Sequence, residues 1–226
     1  MLRLITDFDG PIVDVSERYY QVYCYCLEKT QLPQQPIRQM TKSEFWELKR
    51  AQVPEREIGL LSGLETAQAE EFSQLRRQTV HQLSYMIHDC PVPDAISTLE
   101  KIQKLGLDLV VMTMRRTREL EMAFAQYDLW RFFPPERRYC LSDDYIKTTD
   151  PNDKSLLMER SLQELPPATE VWMVGDTETD IIAAKNHGIP VIGVLSGIRN
   201  REQLERYQPE FIVNNLDEAL NLIASE

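Results

Sequence analysis

The sequence predicts an α/β protein, with a Rossmann-like parallel sheet flanked by helices and a helical domain inserted after the first strand. Three observations lead to this fold class. From residue 95 onward, short apolar segments alternate with helical segments, a pattern typical of parallel sheets covered on both faces. Residues 16–89 contain almost no strand pattern. One apolar segment, residues 2–6, precedes the helical stretch and is too short to stand alone, so it must join the later sheet.

The N-terminal segment LRLIT (2–6) is predicted to be the first strand, and it leads directly into an acidic cluster. A helical pattern then begins near Ser16, a suitable N-cap residue for SERYYQVYCYCLEKT, and continues through TKSEFWELKRAQ and ETAQAEEFSQLRRQTVHQLSYMI. The turn-forming CPVPD ends it. We therefore predict a core domain formed by residues 1–15 and 90–226, and a helical domain formed by residues 16–89.

Beyond this turn, helices and strands alternate to the end of the sequence. The apolar runs LDLVVMT, EVWMVG and PVIGV are the clearest strands, because a continuous apolar run fits a strand that is buried on both faces. The predicted elements are helix 95–105, strand 107–113, helix 117–126, strand 138–141, helix 153–164, strand 170–175, helix 179–187, strand 190–194, helix 201–206, strand 211–213 and helix 216–224. This order predicts a parallel sheet whose strands are connected by helices.

The composition narrows the classes of function. The 226 residues carry a formal net charge of −11, which argues against nucleic acid as a partner, because proteins that bind it concentrate Lys and Arg against the phosphates. No segment approaches the roughly 20 apolar residues of a membrane-spanning helix, and the opening MLRLITDFDG lacks the apolar run of a signal peptide. We therefore expect a soluble, cytoplasmic protein with no membrane partner, and either a monomer or a homodimer.

Several side chains that can carry chemistry are predicted at the carboxyl ends of the strands, where open parallel sheets bind ligands. In chain order they are Asp7 and Asp9 after the first strand, Thr113 at the end of the second long strand, and Asp176 and Asp180 after the third. Four carboxylates at one edge repel one another, so the cluster requires a cation, and hard oxygen ligands favour Mg²⁺. Lys154, near the start of the preceding helix, is predicted to supply a cationic side chain.

Each of these residues has a simpler explanation when it is considered by itself. An Asp at a strand end or helix start is more often a turn or N-cap residue than a ligand. Lys154 alone would be a solvated lysine. The combination is more informative, because every chemical group falls at the same edge of the sheet in a consistent order.

In this order of motifs the sequence resembles the haloacid dehalogenase-like (HAD) hydrolase superfamily, in its phosphatase branch with a small α-helical cap. The resemblance covers essentially the whole chain. The inserted helical domain is similar to the cap of phosphoglycolate phosphatase-like and β-phosphoglucomutase-like enzymes, which implies an HAD core around it. The four motifs match Asp7-Phe8-Asp9 followed by Gly10, Thr113 in LVVMT, Lys154 in DKSLLMERSL, and Asp176 with Asp180 in VGDTETDIIAAKNHGIPVIGV.

The resemblance implies a role for each catalytic residue. Asp7 is the expected nucleophile and forms an aspartyl-phosphate, a recognised use of a carboxylate. Asp9 is the expected general acid for the leaving oxygen, and then the base for the attacking water. Thr113 and Lys154 are expected to hold the phosphoryl oxygens, whose spreading charge must be neutralised.

The same resemblance implies a Mg²⁺ site. Asp7 and Asp176 are the expected side-chain ligands, and Asp9 is expected to contribute its main-chain carbonyl oxygen. Asp180 is expected either to be a ligand itself or to orient the motif lysine or a metal-bound water.

Three features depart from the pattern of the family. Pro11 stands where relatives usually have Thr or Val and removes a backbone N–H, and Met114 stands where they often have Asn or Ser. Lys147 competes with Lys154 as the motif lysine. We prefer Lys154, because it stands at the start of a predicted helix.

Gly10, Arg115 and Arg116 are predicted to bind the substrate. The two arginines are predicted at the start of a helix, where a cation faces the positive end of the macrodipole, so their placement calls for a reason. An arginine facing the cleft can pair with a second anionic group of the substrate in bidentate fashion. The alternative is that these arginines are solvated, or paired with acidic residues such as Glu119 or Glu121.

The predicted function is Mg²⁺-dependent hydrolysis of a small phosphorylated metabolite through an aspartyl-phosphate, as in phosphoglycolate phosphatase-like enzymes. A phosphomutase of the β-phosphoglucomutase type is an alternative, because the same intermediate can pass to a hydroxyl of the substrate instead of water. A non-catalytic regulatory or binding protein on the same fold is a third possibility. The sequence does not name the substrate, since residues of the cap decide it.

Overall fold

The protein divides into two compact units in the computed structural model, which describes residues 1–225. One unit consists of Met1–Asp14 together with the chain from Cys90 onward, and the other is Val15–Asp89. We call them the core unit and the helical unit. Each unit has a hydrophobic core of its own.

The core unit is built on a parallel sheet. In chain order its strands are β1 (Leu2–Thr6), β2 (Val13–Asp14), β3 (Cys90–Pro91), β4 (Asp108–Arg116), β5 (Arg138–Leu141), β6 (Glu170–Gly175), β7 (Val191–Val194) and β8 (Phe211–Val213). Within residues 1–225, six of them form one sheet in the order β5-β4-β1-β6-β7-β8, and every neighbouring pair is parallel. The short strands β2 and β3 pair with each other in antiparallel fashion. The predicted α/β fold class with a parallel sheet is confirmed.

The first strand of the chain lies in the middle of the sheet. Ile5 is opposite Val110 of β4 on one side and Met173 of β6 on the other, and all three side chains are fully buried. The chain continues to one side of β1 with β4 and to the other side with β6, so β1 borders a topological switch point, where open α/β sheets bind ligands. The residue after β1 therefore stands at the centre of the carboxyl edge of the sheet.

The helical unit is organised around aromatic side chains. Tyr23, Phe45 and Phe72 are fully buried, and the ring centroids of Tyr23 and Phe45 are 4.7 Å apart in a stacked pair. Its helices are α1 (Ser16–Thr30), α2 (Lys42–Arg50), α3 (Glu55–Leu61), α4 (Thr66–Thr79) and α5 (Leu83–Met86).

Two helix starts in this unit differ in their capping. Ser16 was predicted to be the N-cap residue of α1, but it is the first residue of the helix. Val15 stands in the N-cap position. At α2 a capping box forms: the Thr41 hydroxyl accepts from the Glu44 N–H at 3.3 Å, and the Glu44 carboxylate accepts from the Thr41 N–H at 2.8 Å.

Helices connect the strands of the parallel sheet. They are α6 (Ala95–Lys104), α7 (Thr117–Tyr127), α8 (Asp150–Glu164), α9 (Glu178–Asn186), α10 (Arg201–Glu205) and α11 (Leu216–Ser225). In the part of the chain that the structure describes, no helix has the length and apolar character needed to cross a membrane.

Strand β4 runs three residues beyond its predicted end. After a shift in register, Arg116 pairs with Leu141 of β5, so the strand continues past Thr113. The prediction that Arg115 stands at the start of a helix is therefore wrong, since it lies within β4. Arg116 is the N-cap residue of α7, where its N–H donates to the Glu119 carboxylate at 3.1 Å. The macrodipole argument does not apply to the Arg115 side chain.

Candidate active site

Asp7 directly follows β1 at the centre of the carboxyl edge. Its N–H donates to the carbonyl oxygen of Val174 in β6 at 2.8 Å, which extends the pairing of the strands by one residue. Its Oδ1 accepts from the Phe8 N–H at 2.8 Å and lies 2.9 Å from Lys154 Nζ. The Asp7 side chain is only 10% exposed. The carboxylate is therefore held in one orientation, with little access to water.

A tight turn after Asp7 brings the next residues back toward the sheet edge. The Val13 N–H donates to the Phe8 carbonyl oxygen at 3.0 Å, and the Gly10 N–H donates to the Val13 carbonyl oxygen at 2.8 Å. Gly10 has a φ of +91°, which only glycine adopts readily, and a Cβ at this position would overlap the carboxyl group of Asp176. Gly10 thus has a steric role at the site in addition to the substrate role predicted for it.

Lys154 lies in the first turns of α8 and is buried, with 1% of its side chain exposed. Its ammonium group forms ion pairs with Asp7 Oδ1 and Asp180 Oδ1. Burial by itself disfavours the charged form, but the carboxylates of Asp180 and Asp7 raise the pKa of Lys154 above its usual value. The competing candidate, Lys147, is exposed. The structure brings Lys154, and not Lys147, to the carboxylates.

Asp180 anchors the loop between β6 and α9. Its Oδ2 accepts from the N–H groups of Asp176 and Thr177 at 3.1 and 3.0 Å, and from the Thr177 hydroxyl at 2.8 Å. This is the capping box of α9, so the simpler explanation for an Asp at a helix start also holds here. With its Oδ1 paired to Lys154, Asp180 has both oxygens engaged.

Asp176 presents one free oxygen to the site. Its Oδ2 accepts from the Ile198 N–H at 2.6 Å. Its Oδ1 is buried and has no hydrogen-bond partner among residues 1–225. A buried carboxylate oxygen without a donor is costly, because nothing replaces the water it has lost.

The carboxylates fit a divalent cation. One carboxylate oxygen from each of Asp7, Asp176 and Asp180 lies within 4.8 Å of the others. Burial raises the pKa of Asp7 to about 7, because desolvation of the carboxylate outweighs the attraction of the Lys154 ammonium. Burial also raises the pKa of Asp176 well above its ordinary value, and the negative charge of Asp7 adds to the effect. A cation would relieve this repulsion and satisfy the free Asp176 oxygen.

Thr113 lies at the same edge as Asp7. The register pairs Thr6 with Val111, so both strands reach the edge at nearly the same level. Thr113 is 2% exposed, and its hydroxyl accepts from the Arg115 N–H at 3.2 Å. The hydroxyl is thereby oriented with its own proton free to be donated.

Arg115 and Arg116 are placed differently from the prediction. Arg115 Nε donates to Asp9 Oδ1 at 2.7 Å, so this guanidinium is directed at the predicted acid/base and not at a distant part of a substrate. The Arg116 guanidinium donates to the carbonyl oxygens of Ser142, Asp143 and Tyr145 at 2.7 to 3.0 Å. These donors hold the loop after β5, and the substrate role of Arg116 stays a prediction.

A segment that sequence reasoning missed also contributes to the site. It follows β7 and contains Ser196, Gly197 and Ile198. The Ser196 hydroxyl donates to the Gly10 carbonyl oxygen at 2.8 Å, and a Cβ at Gly197 would overlap the Asp176 carboxyl group. The rule that sites form at the carboxyl ends of strands could have pointed to this segment, since it follows a strand of the same sheet.

Comparison with known proteins relates the chain to hydrolases. The HAD-hydrolase-like family model matches residues 153–219. Phosphoglycolate phosphatase of Vibrio parahaemolyticus is 29% identical over 157 residues, which are 69% of this chain and 64% of that protein. Pyrophosphatase PpaX of Bacillus velezensis is 21% identical over 225 residues, which are 97% of this chain and 94% of that protein. The chain thus spans just under two thirds of the length of the Vibrio relative.

Solved structures of hydrolases have a similar fold. A haloacid dehalogenase-like hydrolase from Streptococcus pneumoniae superimposes with a TM-score of 0.70 at 21% identity, covering 98% of this chain and 97% of that one. The parallel sheet, the order of the site residues along the chain and these similarities agree. The chain is therefore similar to haloacid dehalogenase-like hydrolases, through the family model over residues 153–219 and through the fold over nearly the whole chain.

Proposed function

We propose that the protein is a Mg²⁺-dependent phosphatase that hydrolyses a small phosphorylated metabolite. The observation that carries this proposal is the buried group of Asp7, Lys154 and Asp176 at the centre of the carboxyl edge. In it, a fixed carboxylate contacts a buried ammonium group beside a carboxylate oxygen that has no donor within the described chain. Phosphoryl transfer depends on such positioning and on neutralising the charge of the phosphoryl oxygens.

The cation is proposed to be Mg²⁺, which prefers hard oxygen ligands. We assign its side-chain ligands as Asp7 and Asp176 and its third protein ligand as the main-chain carbonyl of Asp9. Asp180 is assigned the task of orienting Lys154, because both of its oxygens already have partners. When bound, Mg²⁺ neutralises negative charge on the phosphoryl group and on the carboxylates that approach it.

In the first half of the reaction, Asp7 attacks the phosphorus atom. We assign the attack to Oδ2, because Oδ1 accepts from Phe8 and Lys154. The Oδ2–P bond forms while the bond from phosphorus to the ester oxygen breaks, and Asp9 donates a proton to that oxygen, which leaves as an alcohol. Lys154 and the Thr113 hydroxyl are assigned to the phosphoryl oxygens.

In the second half, a water molecule replaces the alcohol. Asp9, now a carboxylate, takes a proton from the water as the water oxygen attacks phosphorus. The bond between phosphorus and Asp7 Oδ2 breaks and inorganic phosphate leaves. Asp7 is again a carboxylate and Asp9 again carries a proton, so the cycle is closed.

The proposed substrate is a small phosphate ester. Two relatives are named for phosphoglycolate and pyrophosphate, both compact anions, and this supports a substrate of that size. A net charge of −11 disfavours a large polyanion. The helical unit, Val15–Asp89, is proposed to be the cap that selects the substrate.

The test is hydrolysis by the purified protein. We expect Mg²⁺-dependent release of inorganic phosphate from 4-nitrophenyl phosphate and from at least one member of a panel that includes phosphoglycolate and pyrophosphate. Asp7→Asn keeps the size of the side chain but removes the negative charge of the attacking group, so turnover should fall by roughly 10³-fold or more. Circular dichroism should establish that this variant is folded.

Three outcomes would contradict the proposal. One is substantial turnover by a folded Asp7→Asn protein, and another is undiminished turnover in excess EDTA. The third is transfer of the phosphoryl group between positions of a sugar phosphate without release of inorganic phosphate, which would indicate a phosphomutase.

A further inference from the structure

Arg115 is tied to the predicted acid/base residue by a buried ion pair. Its Nε lies 2.7 Å from Asp9 Oδ1, within the range of a strong charge-assisted hydrogen bond. The Arg115 side chain is 2% exposed, whereas the Asp9 side chain is 26% exposed. The arginine is therefore fixed in the protein, and the carboxylate that it holds has access to a ligand.

Packing fixes the direction of the guanidinium. The Arg115 Cζ lies 4.9 Å from the centroid of the Phe8 ring, which is itself fully buried and lies 5.7 Å from the Phe124 ring. The backbone of Arg115 is part of β4 and donates to the Thr113 hydroxyl. Strand, ring and carboxylate together leave this side chain little conformational freedom.

We propose that Arg115 is a positioning residue that holds the Asp9 carboxyl group in the orientation needed for proton transfer. This inference rests on the proposed phosphatase function and deepens it. The contact from Arg115 Nε to Asp9 Oδ1 fixes the orientation of the carboxyl group that carries the transferred proton. A protonated Asp9 still accepts from Arg115 through Oδ1, so the same contact serves both halves of the reaction.

Thr113 and Arg115 lie two residues apart in β4, in the stretch where the register against β5 shifts. The Arg115 N–H donates to the Thr113 hydroxyl at 3.2 Å, so the two residues are held next to each other. One strand end then supplies both the hydroxyl assigned to the phosphoryl group and the guanidinium that orients the acid/base. A helix starting at Met114 would direct these two side chains differently.

The experiment compares two aryl phosphates in Arg115→Met. The phenolate of phenyl phosphate leaves with difficulty unless it is protonated, whereas that of 2,4-dinitrophenyl phosphate leaves without a proton. We expect kcat/KM for phenyl phosphate to fall about 10- to 100-fold, the range for a lost charged hydrogen bond, and kcat/KM for the dinitrophenyl ester to fall no more than about 3-fold. Equal losses on the two esters would overturn the proposal.

A double-mutant cycle with Asp9→Asn gives a second, independent readout. If Arg115 acts through Asp9, then Arg115→Met should cost almost nothing in kcat/KM for phenyl phosphate once Asp9 is replaced. Full additivity of the two losses would overturn the proposal. Arg115→Lys, which keeps the charge and part of the reach, should recover some of the phenyl phosphate activity and serves as the test variant if Arg115→Met does not fold.

Arg3 offers a matched control. Its Nε lies 2.7 Å from Asp108 Oδ2 and its side chain is 2% exposed, so it forms the same kind of buried pair at the amino ends of β1 and β4. Arg3→Met should lower stability without changing the ratio of kcat/KM values for the two esters. If the wild type hydrolyses neither ester, the proposed function fails. If it hydrolyses both and the ratio in Arg115→Met equals that in Arg3→Met, only the role of Arg115 fails.

Discussion

Lys154 is the residue on which the electrostatics of the site depend. It is buried between Asp7 and Asp180, and both carboxylates are buried with it. A buried ion pair gains little over an apolar pair, but the loss of one partner leaves a charge without compensation. The three residues therefore stabilise the fold only as a set.

Lys154→Met should accordingly destabilise the metal-free protein by about 3–5 kcal/mol in the free energy of unfolding. Adding Asp7→Asn to it should recover part of this loss, because one uncompensated charge is removed. Urea denaturation in EDTA measures both effects. Lys147→Met is the control, since Lys147 is exposed, and a loss in Lys154→Met no larger than in this control would contradict the assignment.

Asp7 and Asp176 make the stability of the metal-free protein depend on pH. The pKa of Asp7 is raised from 3.8 to about 7, and the pKa of Asp176 is raised as well. Between the ordinary pKa and the raised one, the folded protein binds a proton that the unfolded chain has lost. Stability without metal should therefore fall as the pH rises through this range.

The stabilisation by Mg²⁺ should change in the opposite direction. A cation competes with protons for the carboxylates, so saturating Mg²⁺ should raise Tm more at about pH 8 than at about pH 5.5. Differential scanning fluorimetry at both pH values measures this. Asp176→Asn should largely remove the Mg²⁺-induced rise in Tm. An equal rise at both pH values in the wild type would contradict competition between Mg²⁺ and protons.

At the scale of elements, the site depends on how closely two turns approach the end of β6. The turn after β1 approaches through Gly10 and the segment after β7 through Gly197, and a Cβ at either position would overlap Asp176. These glycines allow backbone to pack directly against a carboxylate that would otherwise be displaced. This close approach to Asp176 depends on the small size of Gly10 and Gly197 more than on the lengths of the strands before them.

Gly10→Ala should therefore weaken Mg²⁺ binding in addition to straining the backbone. Gly106→Ala is a matched control, because Gly106 also has a positive φ but faces open space, with no atom within 4 Å of an added Cβ. Both variants should lose about 1–2 kcal/mol in the free energy of unfolding from backbone strain. Only Gly10→Ala should lose the Mg²⁺-induced rise in Tm, so a full response in that variant would refute the steric role.

At the scale of the whole molecule, each of the two units has a hydrophobic core of its own. The sheet packs around residues such as Ile5 and Met173, and the helical unit packs around Tyr23 and Phe45. The chain leaves the core unit after Asp14 and returns to it at Cys90. These two residues pair with each other in β2 and β3. The sheet therefore does not need the inserted residues to close its own core.

Replacing residues 15–89 with a short Gly/Ser linker should thus leave a folded core unit. We expect it to keep a Mg²⁺-induced rise in Tm, because the carboxylates and Lys154 all belong to the core unit. If the helical unit selects the substrate, kcat/KM should fall far more for the preferred metabolite than for 4-nitrophenyl phosphate. An unfolded product would contradict the independent folding of the core unit. Equal losses on both substrates would contradict a role of the helical unit in substrate selection.

Much of the site could be predicted because it follows from strand ends. Asp7, Thr113, Asp176 and Asp180 each follow or end an apolar run of the sequence, and a parallel sheet brings the carboxyl ends of its strands to one edge. The neighbours of these residues could not be predicted in the same way. The placement of Arg115 depends on three further residues of β4, and the segment Met114-Arg115-Arg116 carries no clear strand pattern.

The sequence by itself determined the α/β class, the alternation of helices and strands from residue 95 onward, and the carboxylates and lysine that gather at one edge. Apolar periodicity and residue type are local properties, so they can be interpreted without coordinates. Only the tertiary structure decided that Arg115 pairs with Asp9, that Arg116 holds a loop, and that Asp176 keeps one oxygen free. Those outcomes depend on contacts between residues as far apart as Asp9 and Arg115 or Asp176 and Ile198, which the packing of the sheet brings together.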